Sequence, residues 1–262
     1  MSPLPIDDVL DQLLGTLAEQ SFALLVAAPG AGKTTRVPLA LLDADWRGDG
    51  RIIMLEPRRI AARAAAQRMA QSLGEKVGET VGYRVRLDSQ VSEKTKIEVV
   101  TEGVFTRMIL EDPELNGVSA VIFDEFHERS LDGDLGLALA QDAAILRPEL
   151  RLLIMSATLD SAQMSKQLAD APLIQSDGRA YPVETRYVPP KPDVLIEDHV
   201  VRTVLSALEE ETGSILVFLP GQAEINRVAK RLSATVSHDV DIAPLYGRLT
   251  PEQQDMAIAP AK

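Results

Sequence analysis

The stretch Ala27-Ala28-Pro29-Gly30-Ala31-Gly32-Lys33-Thr34-Thr35 carries the residue types needed to grip a phosphate. Glycines let backbone N–H groups turn inward without a clashing Cβ. A lysine after them reaches the β- and γ-phosphates as a point charge, and the next hydroxyl coordinates Mg²⁺. In this pattern Pro29, Gly30, Ala31, Gly32, Lys33, Thr34 and Thr35 form the cradle, with Ala27 where the pattern usually has glycine. A second group, Asp124-Glu125-Phe126-His127, closes the apolar run Ala120-Val121-Ile122-Phe123. One carboxylate of such a pair can hold a metal while its neighbour orients and deprotonates a water. Asp124 takes the first role and Glu125 the second, so Thr34, Asp124 and Glu125 are the candidate metal-facing residues. Thr158, in Ser156-Ala157-Thr158, lies 34 residues beyond Asp124, about one β-α-β unit away. Ser156 and Thr158 offer two hydroxyls to His127 or to the acidic pair. Each group alone also fits an ordinary glycine turn, an acidic loop or a capping hydroxyl. Together they point to binding and hydrolysis of a nucleoside triphosphate with Mg²⁺.

Such groups work only if strand ends bring them together. Short apolar runs at Phe22–Ala27, Arg51–Leu55, Ile97–Val100, Ala120–Phe123 and Leu152–Met155 alternate with amphipathic stretches, which predicts parallel α/β structure. Ligands of open α/β sheets bind at the C-terminal strand ends, where both groups fall. A second series is expected at Val183–Val188, Ser214–Leu219 and Ile242–Leu245. Between them the spacing of Val200, Val201, Val204, Leu205 and Leu208 predicts a helix closed by Gly213, and Ile225, Val228 and Leu232 predict another. A break near Gly178-Arg179-Ala180, before the proline-rich Pro189-Pro190-Lys191-Pro192, divides the chain into residues 1–180 and 181–262.

The 262 residues hold 45% hydrophobic and 25% charged side chains, which excludes a disordered chain. The longest apolar run, Phe22 to Ala28, is far short of the ~18 residues of a membrane span. Asp7, Asp8 and Asp11 stand where a signal peptide would be basic. The chain has no cysteine, which excludes disulfides and thiolate metal sites and fits a reducing cytoplasm. Its net charge is −12, yet residues 56–86 carry seven basic and three acidic groups. Exposed charges beyond ~8–10 Å are screened, so this local excess leaves room for an anionic polymer.

In order along the chain, these residues resemble the DEAH-box branch of superfamily 2 helicases. Lys33-Thr34 is similar to motif I of that family, Glu56-Pro57-Arg58-Arg59 to motif Ia and Thr101-Glu102-Gly103 to motif Ib. Asp124 to His127 is similar to motif II, with Phe126 in place of alanine, and Glu128-Arg129 continues the match. Ser156-Ala157-Thr158 resembles motif III, and Leu216-Val217-Phe218-Leu219-Pro220-Gly221 resembles motif IV, with Pro244-Leu245-Tyr246-Gly247 beyond it. The phenylalanine in motif II and the Pro-Gly-Ala loop look most like the bacterial HrpB-type branch.

The resemblance implies tandem RecA-like P-loop NTPase domains with parallel sheets, ATP and Mg²⁺ as cofactors, and a single nucleic-acid strand, RNA, as partner. It implies that Arg58, Arg59, Arg86 and Thr101 contact that strand and that Arg68 stacks on the nucleotide base, while Arg63 and Arg84 read as a solvated face. Motifs V and VI would follow motif IV, so the second domain reads as truncated and the chain as a poor ATPase by itself. A translocase on duplex and a nucleotide-dependent binding module share the same motifs.

Overall fold

The computed structural model describes residues 3–157, 171–176 and 183–259. The chain divides into two compact units, Met1–Tyr181 and Pro182–Lys262. The break expected near Gly178 to Ala180 lies outside the described residues.

In the first unit α1 (Leu10–Glu19) leads into β1 (Phe22–Ala27), α2 (Lys33–Ala40), β2 (Arg51–Glu56) and α3 (Arg59–Leu73). Then come β3 (Val81–Val85), β4 (Asp88–Gln90), β5 (Ile97–Thr101), α4 (Glu102–Glu111), β6 (Val118–Phe123), α5 (Leu131–Leu146), β7 (Arg151–Ser156) and β8 (Leu173–Ser176). The eight strands form one sheet in the order β4-β3-β5-β2-β6-β7-β1-β8. Every pairing is parallel except the β3–β4 hairpin.

Both faces of the sheet are covered, which is why its central strands read as unbroken apolar runs. Leu25, Ile52, Met54, Ile97 and Ile122 face Leu13 and Leu17 of α1, Val37 of α2 and Met69 of α3. On the opposite face Leu24, Ile53, Val121 and Phe123 meet Phe105 and Ile109 of α4 and Leu137 and Ala140 of α5. Parallel strands place their C-terminal ends along one edge, so the loops after β1, β2, β5, β6 and β7 share that edge.

The five expected strands form here, each within one or two residues of its expected bounds. Strands β3, β4 and β8 were not expected. Gly82 and Arg84 break the apolar run of β3, and β4 is three polar residues paired to β3 (Tyr83 opposite Gln90, Val85 opposite Asp88), with the Tyr83 hydroxyl donating to Asp88 Oδ2 at 3.0 Å.

In the second unit the described residues form three helices, α6 (Ile196–Glu210), α7 (Gln222–Ser233) and α8 (Pro251–Ile258). Val204, Val228 and Leu232 make its small core, with Val200, Val217, Leu219 and Ile242 packed against them. The strands expected at Val183–Val188, Ser214–Leu219 and Ile242–Leu245 are not formed, so no sheet occurs among the described residues of this unit. A parallel strand exists only through a hydrogen-bonded neighbour, and apolar runs alone do not supply one. Helix α6 also stops before its expected glycine: Glu211 is the cap, in extended conformation, and Gly213 follows with φ +112°.

Candidate active site and nucleic-acid edge

The phosphate loop leaves β1 at Ala27 and enters α2 at Lys33. Gly30 and Gly32 adopt φ +79° and +96°, which L residues rarely tolerate. At Gly32 space is a second constraint, because a Cβ there would lie 2.6 Å from Leu4 Cδ1. Pro29 and Gly30 are exposed, Ala31 is buried, and Gly32 accepts hydrogen bonds from the N–H of Thr35 (3.2 Å) and Arg36 (2.9 Å). The loop thus closes into the first turn of α2, whose N-terminus favours an anion.

Lys33 is buried, and its Nζ donates to Glu125 Oε1 at 2.8 Å. Thr34 Oγ1 donates to Asp124 Oδ2 at 2.5 Å. Two side chains of the loop therefore meet the two carboxylates that follow β6. Asp124 is fixed through its own N–H to Leu55 O (3.1 Å) and by accepting the N–H of Glu125 (2.8 Å). Glu125 sits at φ +49°, an uncommon conformation for a side-chain-bearing residue, and begins a single 3-10 turn over Phe126–Glu128. Burial pushes the Asp124 carboxyl above the ordinary aspartate range, against the opposing pull of Lys33 and of the Thr34 hydroxyl.

His127 Nδ1 accepts the N–H of Ala157 at 3.3 Å. An Nδ1 that accepts there cannot also donate to Glu125 Oε2, 3.4 Å away. The acid turn is thus tied to the end of β7 by the backbone of Ala157, between the two residues whose hydroxyls the sequence had pointed to. Ser156 is buried at that strand end, and Thr158 lies outside the described residues.

The DEAD/DEAH box helicase family matches residues 8–166 of this chain, more than half of its length. The chain belongs to that family. Among DEAD/DEAH box relatives, the ATP-dependent RNA helicase HrpB of Escherichia coli is 51% identical over all of this chain. The ATP-dependent RNA helicase HrpA homolog of Haemophilus influenzae is 36% identical over 98% of it. The chain spans about a third of the length of the first relative (32%) and a fifth of the second (20%). A crystal structure of the E. coli DEAH/RHA helicase HrpB superposes with a TM-score of 0.91 at 50% identity, covering 99% of this chain and 33% of that one.

Further along the same edge of this DEAD/DEAH box sheet lie the ends of β2, β5 and β3. Arg58 caps the N-terminus of α3, and its Nη2 donates to Glu128 Oε1 and Oε2, both at 3.0 Å. Arg59 opens α3 and is exposed, Thr101 caps α4 and is half-buried, and Arg86 is exposed in the β3–β4 turn. Arg68 is also exposed but sits nine residues along α3 from Arg59, ~13 Å along the helix axis. Arg84 and Arg51 are taken up by buried Glu98, at 2.6 and 3.1 Å. Arg63 faces Asp88 at 3.9 Å.

Two features of the site went unread in the sequence. Glu56, the last residue of β2, is buried beside Asp124; burial and then the Asp124 charge push its carboxyl up to about 9. The same surroundings favour its neutral, protonated form. Its position at a strand end on the ligand edge was the available signal. The second is the N-terminal segment: the N–H of buried Ile6 donates to Ala31 O at 3.1 Å, and Ser176 Oγ donates to Pro5 O at 2.9 Å. These contacts hold the segment against the phosphate loop.

Proposed function

We propose that this chain is the N-terminal part of an ATP-dependent RNA helicase, in which the first unit binds Mg²⁺–ATP and one strand of RNA. The observation that carries the reading is the meeting of Lys33 with Glu125 and of Thr34 with Asp124 in one site. A lysine, a hydroxyl and two carboxylates at a glycine loop are the donor set that a nucleoside triphosphate and Mg²⁺ require. Thr34 and Asp124 have oxygens 2.5 Å apart, so both can face one small, hard cation that keeps water and phosphate ligands.

Mg²⁺–ATP, when bound, supplies a γ-phosphoryl group whose transfer to water spreads negative charge over its oxygens. The chain's residues then divide the work. The N–H groups from Gly30 to Thr34 and the start of α2 cradle the phosphates. Lys33 exchanges Glu125 for a phosphate oxygen. Glu125, freed of its counter-ion, orients the attacking water and takes its proton. His127 keeps the turn that carries Glu125 attached to β7.

Along the rest of the edge, Arg58, Arg59, Thr101 and Arg86 are the proposed contacts to the strand's phosphates, and Arg68 the proposed contact to the nucleotide base. The first unit is read as a RecA-like domain and residues 181–262 as the opening part of a second, with the cytoplasm as the site of action. The relatives named above as RNA helicases support RNA as the polymer.

Unwinding of a tailed RNA duplex with ATP, using the longer protein that carries this chain, tests the reading. Strand separation that disappears in Glu125→Gln supports it. ATP turnover stimulated by duplex without strand separation would replace it with a translocase.

A further inference from the structure

We propose that Glu128 is a positioning residue that holds Arg58 in place of a nucleic-acid phosphate, and that the turn from Glu125 to Glu128 couples this contact to the nucleotide site. The inference rests on the reading of Arg58 as a nucleic-acid contact. Its basis is the symmetry of the turn. At one end Glu125 neutralises Lys33, the cation that a triphosphate needs, at 2.8 Å. At the other end Glu128 neutralises Arg58, with both carboxylate oxygens 3.0 Å from Nη2. The N–H of Glu128 donates to Glu125 O at 2.9 Å, so the two glutamates are joined by one backbone hydrogen bond.

The turn is held in the middle and at its exit, while the two carboxylates pair with their cations. Phe126 is buried edge-on against Phe123, with ring centroids 6.1 Å apart. Arg129, at φ +47°, lies 5.5 Å from the Phe126 ring centroid and pairs with Asp134 of α5 through two 3.0 Å hydrogen bonds. Anchored in this way, the turn has little freedom to keep one carboxylate in place while the other is released and reoriented.

The Arg58 side chain is 71% exposed and that of Glu128 37%, so the pair forms near solvent. Such pairs are weak, and a strand phosphodiester offers the same guanidinium one negative charge shared by two oxygens, as the carboxylate does. A strand phosphate can therefore displace Glu128. Triphosphate capture of Lys33 frees Glu125 to reorient, and a short, anchored turn passes that shift on to Glu128 and makes its displacement easier, so each ligand strengthens the other.

The test is the affinity of the chain for a fluorescein-labelled oligouridylate, with and without a non-hydrolysable ATP analogue and Mg²⁺. Wild type is expected to bind the oligonucleotide about fivefold or more tightly with the analogue present. Glu128→Gln is expected to bind it about two- to fivefold more tightly than wild type without the analogue, the range of an exposed ion pair, and to lose most of the response to the analogue. A purely structural role for Glu128 would not change that response. Arg58→Ala is expected to weaken binding under both conditions. Glu128→Gln that matches wild type under both conditions, while Arg58→Ala weakens binding, overturns the inference and leaves the reading of Arg58 intact. Unchanged binding in Arg58→Ala overturns that reading and the inference with it. A wild-type affinity indifferent to the analogue overturns the coupling.

Discussion

Lys33 and Glu125, 92 positions apart in the chain, form an ion pair of 2.8 Å whose lysine is almost wholly buried. Each neutralises the charge that the other would use on a substrate. On the proposed reading the pair holds both groups in reserve: Lys33 would have to be given a phosphate before Glu125 could serve a water. It sits where the loop after β1 and the loop after β6 converge on one sheet edge.

Glu125→Gln removes the charge that competes for Lys33. Its affinity for a non-hydrolysable ATP analogue is expected to equal or exceed that of wild type. Its hydrolysis rate, in the longer protein, is expected to fall by ~10²–10⁴, the usual worth of a general base. Calorimetry and steady-state phosphate release check the two halves, and wild-type turnover would assign the base elsewhere.

Glu56 gives the pH dependence. Its folded value, about 9, lies above the ordinary 4.5, so the folded state binds the proton more tightly than the unfolded chain. This group's contribution is fully present below about pH 4.5 and is lost as pH rises toward about 9. Glutamine mimics the neutral acid without titrating. Glu56→Gln, melted in EDTA, is therefore expected to be more stable than wild type at pH 8, with the gap closing toward pH 5. A gap independent of pH would show that Glu56 is not held protonated.

Phe126→Ala removes a buried ring that packs edge-on against Phe123, itself edge-on to Phe105 at 5.9 Å. The expected loss is ~3 kcal/mol in urea unfolding, the low end for Phe→Ala in a core. A loss below ~1 kcal/mol would mean that the turn is held by Arg129 and His127 instead.

Gly32→Ala places a methyl 2.6 Å from Leu4 Cδ1 at φ +96°. Leu4 or the loop must move, at a cost of more than ~1 kcal/mol of stability. Since Ile6 is bonded to Ala31, the disturbance is expected to weaken triphosphate binding as well. A shorter side chain in Leu4→Ala should restore part of both losses when combined with Gly32→Ala. Independent, additive effects in the double variant would show that Leu4 and the loop do not communicate.

The meeting of Lys33-Thr34 with Asp124-Glu125 was legible because each pair follows a strand buried on both faces, and parallel order fixes where such strands end. Glu56 was not, since its state depends on Asp124, brought beside it by the register of Leu55 opposite Phe123. Strand β4 has no apolar signature and exists through its pairing with β3. Conversely, Ser214–Leu219 has a strand's composition, yet Leu216 and Phe218 are exposed. Composition marks where a strand is possible, and a neighbour decides whether one forms.

The most direct test of the account is a calorimetric titration of this chain with a Mg²⁺-bound, non-hydrolysable ATP analogue, wild type against Lys33→Ala. The predicted result is saturable one-to-one binding by wild type and at least about tenfold weaker binding by the variant, ~1.4 kcal/mol. Equal affinities would contradict the placement of the triphosphate at Lys33, and with it the roles given to Thr34, Asp124 and Glu125.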